Sequence, residues 1–81
     1  MQILFFSAQW CSSCPAVKKL VKENKLDVVN FDADENSSEF QSYKIRSVPT
    51  ILVLDHNGQE IKRLAGKISQ AQIDQLKELQ E

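Results

Sequence analysis

The stretch Ala8-Gln9-Trp10-Cys11-Ser12-Ser13-Cys14-Pro15 holds both cysteines of this chain and decides how the remaining sequence is interpreted. The apolar run Ile3–Phe6 just before it predicts a buried strand, and the pattern rich in Lys, Val and Leu just after it predicts a helix. A Cys-X-X-Cys at a strand–helix junction favours thiol–disulfide exchange, because a helix N-terminus stabilises a thiolate. Redox exchange is therefore the leading hypothesis.

The chain is small and nearly neutral, which narrows its classes of partner. With 81 residues it predicts one domain over residues 1–81, and its net charge of −1 argues against nucleic-acid binding. The N-terminus lacks a basic segment and an apolar run of signal-peptide length, and no stretch approaches the roughly 20 apolar residues of a membrane span. We therefore expect a cytoplasmic protein, and we expect it to be a monomer. In the cytoplasm a cysteine pair is more often catalytic or metal-binding than a static crosslink.

The first half of the chain predicts a βαβ unit followed by a short helix. Apolar residues recur at helical spacing from about Ser12 to Asn24, and Leu26–Phe31 reads as a second strand. Two strands joined through a helix should be parallel, with a right-handed crossover. Asn36, with Glu39 three residues later, resembles a capping box that starts a helix ending near Tyr43.

The second half predicts a hairpin and a final helix. Thr50–Leu54 and Gln59–Leu64 flank the turn Asp55-His56-Asn57-Gly58, and Ser69 with Gln72 predicts a capping box. The buried stripe predicted for that helix consists of Ile73, Leu76 and Leu79. The order β-α-β-α-β-β-α predicts an α/β fold with a four-stranded mixed sheet and three helices.

Two structural readings of the cysteine pair compete with the redox one. A structural zinc site needs four ligands, and the only other soft ligand is His56, alone in the distant turn. A purely structural disulfide would close a loop too short to stabilise the fold much. We therefore predict no metal site, with Cys11 as the attacking nucleophile and Cys14, one helical turn further in, as the resolving thiol.

At this point the chain resembles the thioredoxin family over nearly all of its length. The matching pieces are Trp10-Cys11-Ser12-Ser13-Cys14, Asn30-Phe31-Asp32, Tyr43-Lys44-Ile45-Arg46-Ser47-Val48-Pro49-Thr50, and Asn57-Gly58 followed by Gly66. The resemblance implies that Pro49 is cis and that the Val48 backbone pairs with a bound substrate. Gly66 would leave room for that substrate.

Three further residues beside the cysteines are predicted to contact substrates. Trp10 would form an exposed aromatic lip, the alternative being that it only packs the loop. Ser12 and Ser13 stand where the family commonly has Gly-Pro, a pair that tunes the reduction potential. A departure from the family is Phe5, which stands where thioredoxins bury an acid beneath the resolving cysteine.

The resemblance implies a small dithiol reductase that reduces disulfides in target proteins and needs no bound cofactor. It would be recycled by a flavoprotein resembling thioredoxin reductase or by glutathione, and donation of electrons to ribonucleotide reductase is one specific version. A glutathione-linked glutaredoxin is an alternative, although Ala65-Gly66-Lys67 has only one of the two glycines typical of that family. A non-catalytic module that binds partners through the Val48–Pro49 edge is another.

Overall fold

The computed structural model describes residues 1–80. Its elements follow the predicted order: β1 (Gln2–Ser7), α1 (Cys14–Glu23), β2 (Val28–Asp32), α2 (Ser37–Ser42), β3 (Thr50–Leu54), β4 (Glu60–Ala65) and α3 (Gln70–Gln80). Within the described residues, no helix has both the length and the apolar character that crossing a bilayer would require.

The four strands form one mixed sheet in the order β2-β1-β3-β4. β1 pairs with β2 in parallel and with β3 antiparallel, and β3 and β4 form the antiparallel hairpin. Since β1 lies between two strands and has helices on both faces, Ile3–Phe6 are at most 2% exposed. This position explains why the run is continuously apolar rather than alternating.

The two faces of the sheet bury two separate apolar clusters. Ile3 and Phe5 of β1 pack with α1 and α3 on one face, in a cluster that includes Val17, Ile73 and Leu76. Leu4 and Phe6 point to the other face and pack against α2 and the segment after it, which contribute Phe40, Tyr43 and Ile45. The period-2 geometry of β1 thus assigns alternate residues to alternate helices.

Both short helices end in a Schellman motif with a lysine in the left-handed region. After α1, Lys25 has φ 54°, and the N–H groups of Lys25 and Leu26 donate to the carbonyls of Lys22 and Val21, each at 3.1 Å. Leu26 therefore belongs to the helix end, and the predicted strand start at Leu26 is wrong by two residues. Lys44, with φ 56°, ends α2 in the same way.

One of the two predicted capping boxes forms. The Ser69 N–H donates to Gln72 Oε1 at 3.0 Å, and the Gln72 N–H donates to Ser69 Oγ at 3.4 Å. The box at Asn36 is wrong, since its side chain makes no capping bond. Asn36 Oδ1 instead accepts the N–H of Asp32 at 2.9 Å, which ties the end of β2 to the start of α2.

The predicted buried stripe of α3 is wrong at its last position. Ile73 and Leu76 are fully buried, whereas Leu79 is 42% exposed and does not belong to the core cluster. Helical spacing predicts which side of a helix faces the core, but it does not show where the core beneath that helix ends.

Candidate active site

Cys11 and Cys14 form a disulfide at the carboxyl end of β1, with a Cα–Cα distance of 5.5 Å. Cys14 is the first residue of α1 and is 1% exposed, whereas Cys11 lies before the helix and is 8% exposed. The Cys11 N–H donates to the Ala8 carbonyl at 3.2 Å. The helix thus starts two residues later than the predicted Ser12, and Cys11 is held by the preceding turn.

A second loop, distant in sequence, packs against this disulfide. Val48 contacts the small buried cluster formed by Ala8, Cys11 and Cys14, and the Val48–Pro49 peptide bond is cis, as the resemblance implies. Thr50 Oγ1 donates to the Ser47 carbonyl at 2.7 Å, which fixes the loop where it enters β3.

Gly66 lies beside the same loop, because its N–H donates to the Pro49 carbonyl at 3.1 Å. It has φ 78°, a left-handed conformation that favours glycine, and a Cβ placed there would meet no heavy atom within 4 Å. The surface in front of Gly66 is therefore open. The structure brings the cysteine pair, the Val48–Pro49 loop and Gly66 together.

Trp10 is 68% exposed and forms one wall of a cleft of about 180 Å³ next to the disulfide. The other walls come from the end of β2, from α2 and from the loop that precedes Pro49. Its remaining lining residues are Ala33, Phe40, Ile45, Arg46, Ser47 and Val48. An exposed aromatic side chain beside a mostly apolar cleft is suited to contact with a partner protein.

Comparison with known proteins assigns this arrangement to a family. The family model Thioredoxin matches residues 1–78. The chain belongs to the thioredoxin family. Its relatives include the thioredoxin of Staphylococcus aureus, which is 31% identical over 72 residues, a region covering 82% of this chain and 68% of that protein.

Solved thioredoxin structures share the whole fold. Thioredoxin 1 from Thermosipho africanus TCF52B is 28% identical, with a TM-score of 0.69 over 99% of this chain and 98% of the other. Thioredoxin from Plasmodium falciparum is 29% identical, with a TM-score of 0.81 over 96% and 83% of the two chains. The chain is thus a thiol–disulfide oxidoreductase of the thioredoxin fold, with a redox-active Cys-X-X-Cys disulfide and disulfide reductase activity.

Ala33, which lines the cleft next to the disulfide, was not predicted from the sequence. Ala33 follows the last residue of β2, and its N–H donates to the Ser7 carbonyl at the end of β1, at 2.9 Å. The available signal was the parallel pairing of β1 and β2, because carboxyl ends of parallel strands meet at one edge of a sheet. The Asp32 carboxylate accepts the N–H groups of Asp34 and Glu35 and shapes this turn.

The charged groups with displaced pKa values belong to the β3–β4 hairpin. A hydrogen bond from Arg63, at 2.9 Å, lowers the pKa of Glu60, and the Glu60 carboxylate raises the pKa of Arg63. The hydrogen bond from the Gln59 N–H is the main cause that lowers the pKa of Asp55 in the turn.

Beneath the sheet, Phe5 is 1% exposed within the α1–α3 cluster, so the β1 position that carries an acid in the family is apolar here.

Proposed function

We propose that Cys11 is the nucleophile and Cys14 the resolving thiol when this protein reduces disulfides in target proteins. The Cys11 thiolate attacks one sulfur of the target disulfide, forming a mixed disulfide and releasing the other sulfur as a thiolate that takes up a proton. Cys14, once deprotonated, attacks Cys11, which forms the internal disulfide and releases the second target thiol. The observation that carries the assignment is the exposure of 8% for Cys11 against 1% for Cys14.

The surface around the disulfide is suited to binding a segment of the target protein in an extended conformation. We expect its backbone to pair with Val48 next to cis-Pro49, in the manner of an added strand, and to cross the open surface at Gly66. The Trp10 wall and the cleft beside it would take a side chain next to the target cysteine.

Two single variants test the roles of the cysteines. Cys11→Ser should abolish the reduction of insulin disulfides, because no thiolate is left to attack the target. Cys14→Ser should accumulate mixed disulfides between Cys11 and target proteins, which mass spectrometry of the non-reduced adducts detects. Reductase activity retained in Cys11→Ser would overturn the assignment.

The electron source and the physiological target are finer parts of the same proposal. We expect a flavoprotein resembling thioredoxin reductase to recycle the disulfide, in line with the thioredoxin match. NADPH consumption with such a reductase, compared with glutathione plus glutathione reductase, separates this route from a glutaredoxin-like one. Support of ribonucleotide reductase turnover by the reduced protein tests that specific target.

A module that only binds partners is tested by the same insulin assay. Insulin reduction at the background rate by the wild-type protein would favour such a module over a reductase.

A further inference from the structure

Arg63 in β4 joins two parts of the chain that are far apart in sequence. Its guanidinium donates to the carbonyl oxygens of Tyr43 and Lys44, at 2.7 and 3.2 Å, which lie 20 and 19 residues earlier. Through Nε and Nη2 it also donates to the two carboxylate oxygens of Glu60, each at 2.9 Å. The planar guanidinium is thus fixed between a carboxylate on one side and two main-chain carbonyls on the other.

The register of the β3–β4 hairpin explains why Arg63 reaches these carbonyls. Arg63 pairs with Leu52, which belongs to the apolar cluster that packs against α2, whereas its neighbour Lys62 pairs with Val53 of the cluster on the other face. Adjacent residues of a strand point to opposite faces of the sheet. Arg63 therefore points toward the end of α2, and Lys62 points away from it.

The two carbonyls stand where α2 ends and one wall of the cleft next to the disulfide begins. α2 is only six residues long, and none of its residues, 37–42, is buried. Residues 45–48 follow Lys44 and supply four of the seven residues that line the cleft. The Ile45 N–H donates to the Phe40 carbonyl at 2.8 Å, which ties the start of this wall to α2 but not to the sheet. The hydrogen bonds from Arg63 tie it to β4.

The other end of the same wall is held independently. Thr50 Oγ1 donates to the Ser47 carbonyl at 2.7 Å, just before β3. The wall therefore lies between two side-chain anchors, Thr50 from β3 and Arg63 from β4. A segment anchored at one end only would sample more conformations, and a bound target would then have to restrict them at a cost in affinity.

We propose that Arg63 is a positioning residue that raises the affinity of the cleft for target proteins, by holding the wall of residues 45–48 in its binding conformation. The inference rests on the proposed binding of target segments in this cleft. Glu60 orients the guanidinium, and the lowered pKa of Glu60 and raised pKa of Arg63 agree with that pairing. None of the hydrogen bonds described for Arg63 involves a cysteine, so its effect should fall on target binding and not on the exchange step.

The test is the reduction of insulin by Arg63→Gln, with dithiothreitol as electron donor and direct reduction by dithiothreitol subtracted. KM should rise by about three- to tenfold while kcat stays the same, because apparent affinity falls with the fraction of molecules whose wall is in the binding conformation. Reduction of 2-hydroxyethyl disulfide, which is too small to fill the cleft, should proceed at the wild-type rate. Lys62→Gln removes the same positive charge from the adjacent position and should leave KM unchanged.

Two further variants test the clamp without removing its cationic residue. Glu60→Gln should raise KM less than Arg63→Gln, and the double variant should equal Arg63→Gln, because the carboxylate acts through the guanidinium. Arg63→Lys keeps the charge but lacks the planar fork, so its KM should stay raised. If Arg63→Gln does not fold, these two single variants carry the same measurement.

Amide exchange shows whether the change is local. In Arg63→Gln, exchange at Ile45, where the wall begins, should accelerate more than exchange at Leu52 in the buried strand β3. An equal acceleration at both amides would mean general destabilisation, and it would overturn the positioning role.

The kinetic outcomes distinguish this inference from the proposed function. An unchanged KM in Arg63→Gln, with a raised KM in Trp10→Ala, overturns the role of Arg63 and leaves the cleft as the binding site. A rise in KM shared by Lys62→Gln, or full recovery in Arg63→Lys, assigns the effect to charge and overturns the role as well. Equal losses with insulin and with the small disulfide also overturn it. An unchanged KM in both Arg63→Gln and Trp10→Ala overturns target binding in the cleft, and the inference with it.

Discussion

Phe5 and Phe6 provide a matched test of how the sheet holds α2 and the loop that follows it. The two residues are adjacent in β1, point to opposite faces and are 1% and 0% exposed. Phe6 packs against three aromatic rings: Phe31, stacked at 5.1 Å, Phe40, edge-on at 5.1 Å, and Tyr43, at 5.8 Å. Phe5 packs among aliphatic residues instead.

Phe6→Leu should therefore destabilise the protein more than Phe5→Leu. Replacement of a buried phenylalanine by leucine removes the same atoms from the core at both positions, so this part of the cost is similar in the two variants. An aromatic pair adds about 0.5 to 1.5 kcal/mol beyond burial, so three pairs place the extra cost of Phe6→Leu at about 1.5 kcal/mol or more. That is a substantial share of the roughly 5 to 15 kcal/mol that stabilise a typical domain.

Urea unfolding of both oxidised variants measures this difference. With a slope near the low end for small proteins, about 1 kcal/mol per molar urea, the midpoint of Phe6→Leu should lie about 1.5 M or more below that of Phe5→Leu. Because Phe40 lies in α2 and Tyr43 lies at the start of the segment leading to Pro49, Phe6→Leu should also speed amide exchange there. Equal midpoints, or a lower midpoint for Phe5→Leu, would refute the assignment of this extra stability to the aromatic cluster.

Three further predictions concern single surface features. Asp55→Asn should reduce the fall of the urea midpoint at acid pH. The Gln59 N–H lowers the pKa of Asp55 in the folded state, so the stability that the Asp55 carboxylate contributes is complete above its ordinary pKa of 3.8. That contribution is lost as the pH falls through the lower pKa of the folded state. Parallel acid limbs in the two proteins would contradict this. Trp10→Ala should raise KM for insulin while changing the unfolding free energy by less than about 0.5 kcal/mol, since the ring is 68% exposed, and an unchanged KM would remove Trp10 from the binding surface. Ser69→Ala should cost about 1 kcal/mol in urea unfolding through loss of the capping box, and no loss would mean that the box contributes nothing.

The sequence predicts the fold well because its strongest signals are local. The continuous apolar run Ile3–Phe6 predicts a buried strand, and the bounds of β3 agree with the prediction because turn residues and Pro49 delimit it. The errors arise where backbone conformation and tertiary contacts, rather than local sequence, determine where an element begins and how it is capped. Nothing in the composition near Leu26 indicates that Lys25 adopts a left-handed conformation. The Asn36 side chain makes no capping bond because its Oδ1 accepts the N–H of Asp32, a contact that the local sequence does not predict.

The site was predictable at Trp10, the two cysteines and Pro49, but not at the wall that Ala33 forms. Cys11, Cys14 and Pro49 belong to short motifs whose spacing carries chemistry, whereas Ala33 lines the cleft only because two parallel strands end at one edge. The direction of the Ser13 side chain was not predictable either. A serine before a proline-containing helix start has the sequence of an ordinary cap, and only the 3.6 Å contact shows that its hydroxyl faces Cys11.

The placement of Phe5 bears on how the resolving step proceeds. Cys14 is 1% exposed, and burial disfavours the charged form of a thiol, so the resting reduced site should keep its charge on Cys11 and its proton on Cys14. No carboxylate from β1 lies beneath to accept that proton, because the position holds Phe5 in an apolar cluster. The proton on Cys14 therefore needs another acceptor, such as water or a group of the bound target. Resolution of the mixed disulfide should therefore depend on target and buffer more than it does in a thioredoxin that has the acid, and single-turnover rates at increasing buffer concentration measure that dependence.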